Sequence, residues 1–461
     1  MLPILTPEEM GAVDRAAPEP FDVLVARAGA AVARAALDLL GGAYGKRVVV
    51  VAGKGNNGAD GREAARLLER RGVRCSVLDP ALIGPGERLA DVDLVIDAAF
   101  GTGFHGEYRA PDPGNAPVLA VDIPSGVSGL TGEASDDAVL ADATVTFGAL
   151  KPGLVLQPGR ARAGAFRLAD IGLDCSRATA HLVGPGDVRG WLSPRPVEAH
   201  KWKAAVWIVG GSPGMTGAPA LACRGAQRAG AGYVRLSIPG EQGAAPGAPI
   251  EAVTHELSRD AWASAVLGGL DRFRAVVLGP GLGTAAAAHA AVREVAEAST
   301  VALVIDGDGL TALGQGWRAS GNAPVVLTPH DGEAERLSGT APGPDRFAAA
   351  RTLAAGTGSI VLLKGPTTVV ADPDGTALAV TTGDARLATA GTGDVLAGAV
   401  GALLAQGVEP LMAAAAAAWL HGRAGTLGPA RGLVAGDLPD LLPAAYQSLE
   451  QPDDGQQLAR P

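Results

Sequence analysis

The sequence predicts an α/β protein of two successive domains, each a mostly parallel sheet with crossover helices. Three observations carry this. Short β-branched runs alternate with helical periodicities along most of the 461 residues. Those runs end in glycine-rich loops, the place where open α/β sheets bind ligands. The alternation stops once, in a Pro-, Gly- and Arg-containing stretch at 181–202, and restarts at Ala205. A boundary near residue 178 follows, with domains at 1–178 and 179–447 and a polar tail at 448–461. At this length each domain can hold a full core.

The elements follow in order. Residues 7–40 have helical spacing, with Val23, Leu24, Val32 and Leu37 on one apolar face. RVVVVAG at 47–53 reads as a buried strand that runs into GKGNNGADG at 53–61, then a helix beginning near Arg62. Strand, glycine loop, helix is the context of a phosphate cradle. Further strands are expected at 94–98, 118–122, 143–147 and 166–170. In the second domain the strands fall at 206–209, 233–237, 275–278, 301–305, 324–327 and 360–363. A hairpin around 372–375 and two Ala-rich helices after Asp394 and Pro410 complete it.

Composition narrows the function. A net charge of −10 without a basic run argues against nucleic acid and anionic membrane as partners. The Ala-rich run at 412–420 is too short to span a bilayer. Cys75, Cys175 and Cys223 are scattered, the histidines form no ligand cluster, and no leader precedes Thr6, which together predict a reducing cytoplasm and no zinc.

The chemistry concentrates at the loops. AGTGDVLAG at 390–398 reads as a glycine turn opening a helix, an anion site, with Asp394 at its start. A carboxylate beside a phosphate repels it, so Asp394 makes sense as a base that deprotonates an attacking hydroxyl. Lys364, the only lysine after Lys203, lies in LLKGPTTVV beside this loop and suits phosphate contact. In the first domain GKGNNGADG, DAAFGTGFHGE at 97–107 and VDIPSG at 121–126 all sit at strand ends. Asp97, Asp122, Asn57 and Ser125 would give a hard oxygen pocket fit for an alkali or alkaline-earth cation, with Asp122 alternatively an acid/base. Each carboxylate alone could equally cap a turn.

Together with FGALKPG at 147–153, these first-domain motifs resemble the NAD(P)H-hydrate epimerases, and the resemblance covers residues 1–178. It implies a Rossmann-like three-layer sandwich interconverting the R and S epimers of NADHX and NADPHX. The hydrate would be held by Asn56, Asn57, Gly58, Ala59 and Asp60, and by Gly101, Thr102, Gly103, Phe104, His105, Gly106 and Glu107. Asn57, Asp97 and Ser125 would bind potassium, and Asp122 would be the acid/base at the nicotinamide ring. Ala59 departs from the family's glycine, which is costly if that position needs a positive φ. The stretch 108–117 is short where relatives carry a helix, so one flank of the sheet is expected bare or covered by a second subunit, hence a homo-oligomer.

In the second domain GGSPGMTGA, GPGLG, TPHDGE, KGPTT and GTGD occur in the order found in the ADP-dependent NAD(P)H-hydrate dehydratases of the ribokinase-like fold. The resemblance implies that Ala218, Gly281, His330 and Asp394 touch the hydrate, while Lys364, Gly365, Pro366, Thr367, Thr368 and Gly393 bind the nucleotide. ADP would be the co-substrate, accompanied by Mg2+ held largely through phosphates and water. Two alternatives stay open: a small-molecule kinase of the same fold, and a first domain that is only a binding module.

Overall fold

The computed structural model describes residues 1–104, 106, 108–243, 245, 247–321 and 323–450. Two expected substrate contacts, His105 and Glu107, and the tail beyond residue 450 lie outside them. The chain forms two compact units, Leu2–His181 and a second that begins at Leu182.

The first unit carries six parallel strands in the order Arg74–Leu78, Arg47–Ala52, Leu94–Ala98, Val118–Val121, Ala143–Phe147, Ala165–Ala169. Strand order reverses at Arg47–Ala52, which has a later strand on either side, and a ligand crevice is expected beyond the strand ends at such a point. One face of the sheet (Val48, Val50, Ile96, Leu119) is covered by the helices Phe21–Leu40 and Asn56–Glu69 through Val32, Ala36, Ala64 and Leu68. The other (Val49, Val51, Val95, Ala120) is closed by loop residues, among them Leu89, Tyr108, Ala116 and Val139. The flank expected to be bare is therefore covered by the chain's own loops.

Two expectations need correction. The periodic stretch 7–40 is two helices, Pro7–Ala16 and Phe21–Leu40, because Pro18 and Pro20 cannot continue the first. The glycine loop is also shorter than expected: the helix begins at Asn56 rather than near Arg62, so residues 56–60 form its first turns. A Cβ on Gly58 would lie 1.9 Å from the Gly53 carbonyl oxygen, and one on Gly61 2.5 Å from Ala98 Cβ. These glycines let the helix start lie directly on the strand ends.

In the second unit the parallel strands run Ile360–Leu363, Val325–Leu327, Ala302–Ile305, Ala275–Leu278, Ala205–Val209, Tyr233–Ser237, Val253–Thr254. Beyond Ile360–Leu363 the antiparallel pair Thr368–Ala371 and Ala377–Val380 extends the sheet as the expected hairpin. The order reverses at Ala205–Val209. Helices Gly217–Arg228, Thr392–Ala405 and Pro410–Leu427 bury one face of this sheet. The first two meet backbone to backbone: a Cβ on Gly398 would be 2.0 Å from Ala222 O, and one on Gly225 2.3 Å from Val395 O. Gly398→Ala should therefore force these helices apart and destabilise the second unit by on the order of 3 kcal/mol. A denaturant midpoint unchanged from wild type would refute this. No helix among the described residues is long and apolar enough to cross a membrane.

Candidate functional site

Each unit gathers its chemistry beyond the carboxyl ends of its parallel strands. In the first unit, Asp97 ends its strand 3% exposed and accepts hydrogen bonds from Ser125 N (2.8 Å) and Ser125 Oγ (2.7 Å). Phe100 N–H donates to Ser125 Oγ (2.9 Å), and Asn57 Nδ2 donates to Phe100 O (2.9 Å). Asn57, Asp97 and Ser125 are thus brought together around residues 97–100. Asn57 Oδ1 is buried there without a partner, and burial pushes the Asp97 carboxyl up to about 6 despite the Ser125 bonds. An orphaned amide oxygen beside a carbonyl, a hydroxyl and a carboxylate fits a hard cation.

Asp122 follows the strand Val118–Val121 with φ 66, the only positive φ of a non-glycine residue among those described. Such strain persists where the surroundings over-determine it. Here Asp122 N–H donates to Val145 O (2.6 Å), and the carboxylate is paired with the buried Lys151 ammonium and accepts from Thr146 Oγ1 (3.1 Å). Lys151 also donates to Thr146 Oγ1 (2.9 Å) and Phe147 O (3.2 Å). Asp60 is different. It is 9% exposed, no hydrogen bond or ion pair reaches it among the described residues, and burial, then the charges of Asp122 and Asp14, raise its carboxyl to about 8.

The turn 101–106 is packed by aromatic rings: Phe104 lies 4.3 Å from Phe100, and Tyr108 5.0 Å from Phe100. Ala59 is helical and lacks a positive φ, so the left-handed conformation that would have penalised its methyl is not required.

In the second unit the loops after Ala205–Val209 and Ala275–Leu278 interlock. Gly211 N–H donates to Pro280 O (2.7 Å) and Ser212 Oγ to Gly281 O (2.9 Å), which sets Gly281 against Ala218. Gly281 has φ 67, and a Cβ there would be 3.2 Å from Ala218 Cβ. Gly283 N–H then donates to Asp308 (2.8 Å). The next three strand ends supply Asp306, Thr328 and Lys364. Lys364 Nζ lies 3.0 Å from Asp306 and 3.7 Å from Glu333, and Thr328 Oγ1 donates to Asp306 (2.7 Å). Burial works against the Lys364 charge, yet Asp306, Glu333 and Asp394 hold its pKa above the ordinary value.

Asp394 lies in the first turn of Thr392–Ala405, after Gly391 at φ 92. A Cβ on Gly393 would be 3.4 Å from Lys364 Nζ, so the glycine turn passes directly over the lysine. Burial, and then Asp306, push Asp394 up to about 7, with Lys364 opposing. His330 caps the helix Asp331–Ser338: its Nδ1 accepts from Gly332 N–H (3.0 Å), and Nε2 points toward Glu333 (3.5 Å). Gly365 and Pro366 are exposed, Thr367 is buried, and Thr368 begins the hairpin.

Comparison with known proteins gives these sites a family. Residues 206–447 match the NAD(P)H-hydrate dehydratase family, and residues 21–91 and 79–153 match the YjeF-related protein N-terminus. The bifunctional NAD(P)H-hydrate repair enzyme of Moorella thermoacetica is 36% identical over 97% of this chain and 97% of its own length. The chain belongs to the bifunctional NAD(P)H-hydrate repair enzyme family. Its namesake from Mycobacterium tuberculosis is 38% identical over 73% of each chain. Among solved structures, the ADP/ATP-dependent NAD(P)H-hydrate dehydratase of Bacillus subtilis, co-crystallised with ATP and Mg2+, aligns with TM-score 0.52 and 32% identity. That match covers 58% of this chain and 97% of the other.

For this repair-enzyme family member, sequence reasoning named Asp122, Asp394 and Lys364 but missed the groups that face them. Lys151 and Glu333 stood inside quoted motifs without a role, and Asp306 directly followed the strand expected at 301–305. Asp14 carried no signal at all, and neither did His421. Burial drives the His421 imidazole down to about 4, so it is neutral; it bonds the Thr392 main chain, while its Nε2 is buried without a partner.

Proposed function

We propose that this chain repairs hydrated nicotinamide cofactors. The first unit interconverts R- and S-NADHX and R- and S-NADPHX, and the second dehydrates the S epimer to NADH or NADPH at the expense of ADP, releasing AMP and phosphate. The observation that carries the reading is Asp394: a carboxyl raised to about 7 on a helix-opening glycine turn, over a lysine held cationic. Such a group accepts a proton at neutral pH from a hydroxyl about to attack a phosphoryl group.

In this reading Lys364, Gly365, Pro366, Thr367, Thr368 and Gly393 hold the nucleotide phosphates, with Lys364 as the fixed positive charge. Ala218, Gly281 and His330 border the hydrate, and Asp394 takes the proton of its ring hydroxyl. The amides of the glycine turn stabilise charge on the phosphoryl group in flight. Mg2+ would neutralise nucleotide phosphate charge when bound, held largely through phosphates and water rather than by a dedicated set of side chains. Phosphate then leaves as the ring-nitrogen lone pair moves in, and loss of a proton from the adjacent ring carbon of the resulting iminium to solvent gives NADH or NADPH.

In the first unit Asn56, Asn57, Gly58, Ala59 and Asp60 together with the 101–107 turn border the hydrate. Asp122, ion-paired with Lys151, acts as base at the ring. K+ at Asn57 Oδ1, Asp97, Ser125 and Phe100 O would supply a fixed charge beside that pocket. The substrates are small molecules and the setting is cytoplasmic; with the flank of the first sheet covered by its own loops, the ground for expecting a homo-oligomer falls away.

The test is recovery of reduced-nicotinamide absorbance from mixed R,S-NADHX with ADP and Mg2+. Complete recovery, faster than spontaneous epimerisation, is the expected result. A fast phase that stops at the S fraction would remove the epimerase half, and a stable phosphorylated product would replace the dehydratase half with a small-molecule kinase.

A further inference from the structure

Two carboxyl groups of the first unit sit in opposite environments. Asp122 has a buried ammonium and a hydroxyl as partners. Asp60, one turn into the helix Asn56–Glu69, is just as enclosed and has neither. A largely buried carboxylate without a donor among the described residues is costly, and neutralising it by a proton is the cheaper state. The surroundings add to this from each element. Asp122 stands at the end of Val118–Val121, and Asp14 projects from Pro7–Ala16. Only Lys151, already engaged by Asp122, Thr146 and Phe147, opposes them.

The placement of Asp14 follows from the packing of its helix. Leu5 N–H donates to Leu150 O (2.9 Å) and Leu150 N–H to Pro3 O (2.8 Å), so the chain entering the helix is stitched to the residue before Lys151. Met10 and Val13 then pack on Ala149. Asp14, four residues after the buried Met10, shares that helix face and stays accessible at its edge.

We propose that Asp60 is the general acid of the epimerase, paired with Asp122–Lys151 as the base, and that Asp14 is a positioning residue that keeps the Asp60 proton in place. The assignment rests on the epimerase reading above. Asp122 is held by a cation and a hydroxyl while burial favours the protonated form of Asp60, and two carboxyls in such different surroundings divide acid and base work between them. Asp60 gives its proton to the ring hydroxyl; the C–O bond breaks, the ring-nitrogen lone pair forms an iminium, and water leaves. A water then adds to the opposite face of the same carbon and yields its proton to Asp122. That proton returns to Asp60 through solvent, so neither atoms nor charge are lost and nothing is oxidised.

The experiment follows R-to-S conversion against pH in the full chain, with ADP-dependent turnover of pure S hydrate by the second unit reporting intact enzyme. Wild type should hold its rate up to about pH 8 and lose it above, as Asp60 gives up its proton. Asp60→Asn should lower conversion by about 10²–10⁴-fold, while Asp60→Glu, which restores an acid, recovers part of the rate. Asp14→Asn, by removing a negative charge, should move the alkaline limb to lower pH. Wild-type conversion without an alkaline limb, an Asp60→Asn variant at near-wild-type rate, or an Asp14→Asn profile superimposed on wild type would overturn the assignment. Absence of any wild-type conversion would instead overturn the epimerase reading.

Discussion

Asp394→Asn is expected to cut ADP-dependent dehydration of the S hydrate by about 10²–10⁴-fold, because the amide cannot take the hydroxyl proton. The wild-type pH profile gives the companion result. Burial raises the Asp394 carboxyl to about 7, so its ionised, proton-accepting form is lost as pH falls through that value. The rate should therefore be level above about pH 7 and drop roughly tenfold per unit well below it. Single-turnover absorbance measurements across that range, on wild type and variant, check both. An asparagine variant that still shows the same acidic limb would assign it to another group.

Lys364→Met should have an effect of similar size by another route. The lysine is 3.0 Å from Asp306 and 3.7 Å from Glu333 and lowers the Asp394 carboxyl. Without it the nucleotide loses its fixed cation and three carboxylates face one another uncompensated. Expected are a rise in nucleotide KM, a fall in kcat of about 10²-fold and an acidic limb displaced to higher pH, with stability reduced by on the order of 3 kcal/mol. Steady-state kinetics and a denaturant titration measure these together. Unchanged KM for the nucleotide would remove Lys364 from the phosphate site.

Strand cores were legible because buried parallel strands read as continuous β-branched runs, as at Val48–Val51 and Ala275–Leu278. The first helix boundary was not. Asn56 to Gly61 looks like a loop from its glycines, yet those glycines serve close approach of a helix to Gly53 and Ala98. Pro18 and Pro20 did carry the signal for two helices, and the apolar spacing on either side masked it. At the sites, a loop motif announces its own residues and nothing about what crosses from a neighbouring strand. Asp306 and Lys364 are 58 positions apart and meet because their strands end at the same edge of one sheet. Asp122 and Lys151 meet for a similar reason across the adjacent strand Ala143–Phe147. Asp14 could not be foreseen, since its place depends on a three-residue strand stitched to Leu150.

The contacts of Gly398 with Ala222 and of Gly225 with Val395 have a mechanical consequence. Side chains hop between rotamers and absorb small displacements, but main chain pressed on main chain does not. The helix that carries Asp394 is seated on its neighbour through such a joint, one turn beyond Asp394. The base and the anion turn are thus the stiff part of the machine. Compliance is left to the exposed residues 213–215 and to the exposed His330 cap, on the side proposed for the hydrate. Entry and exit of the large dinucleotide can flex those segments without disturbing the alignment of the proton acceptor.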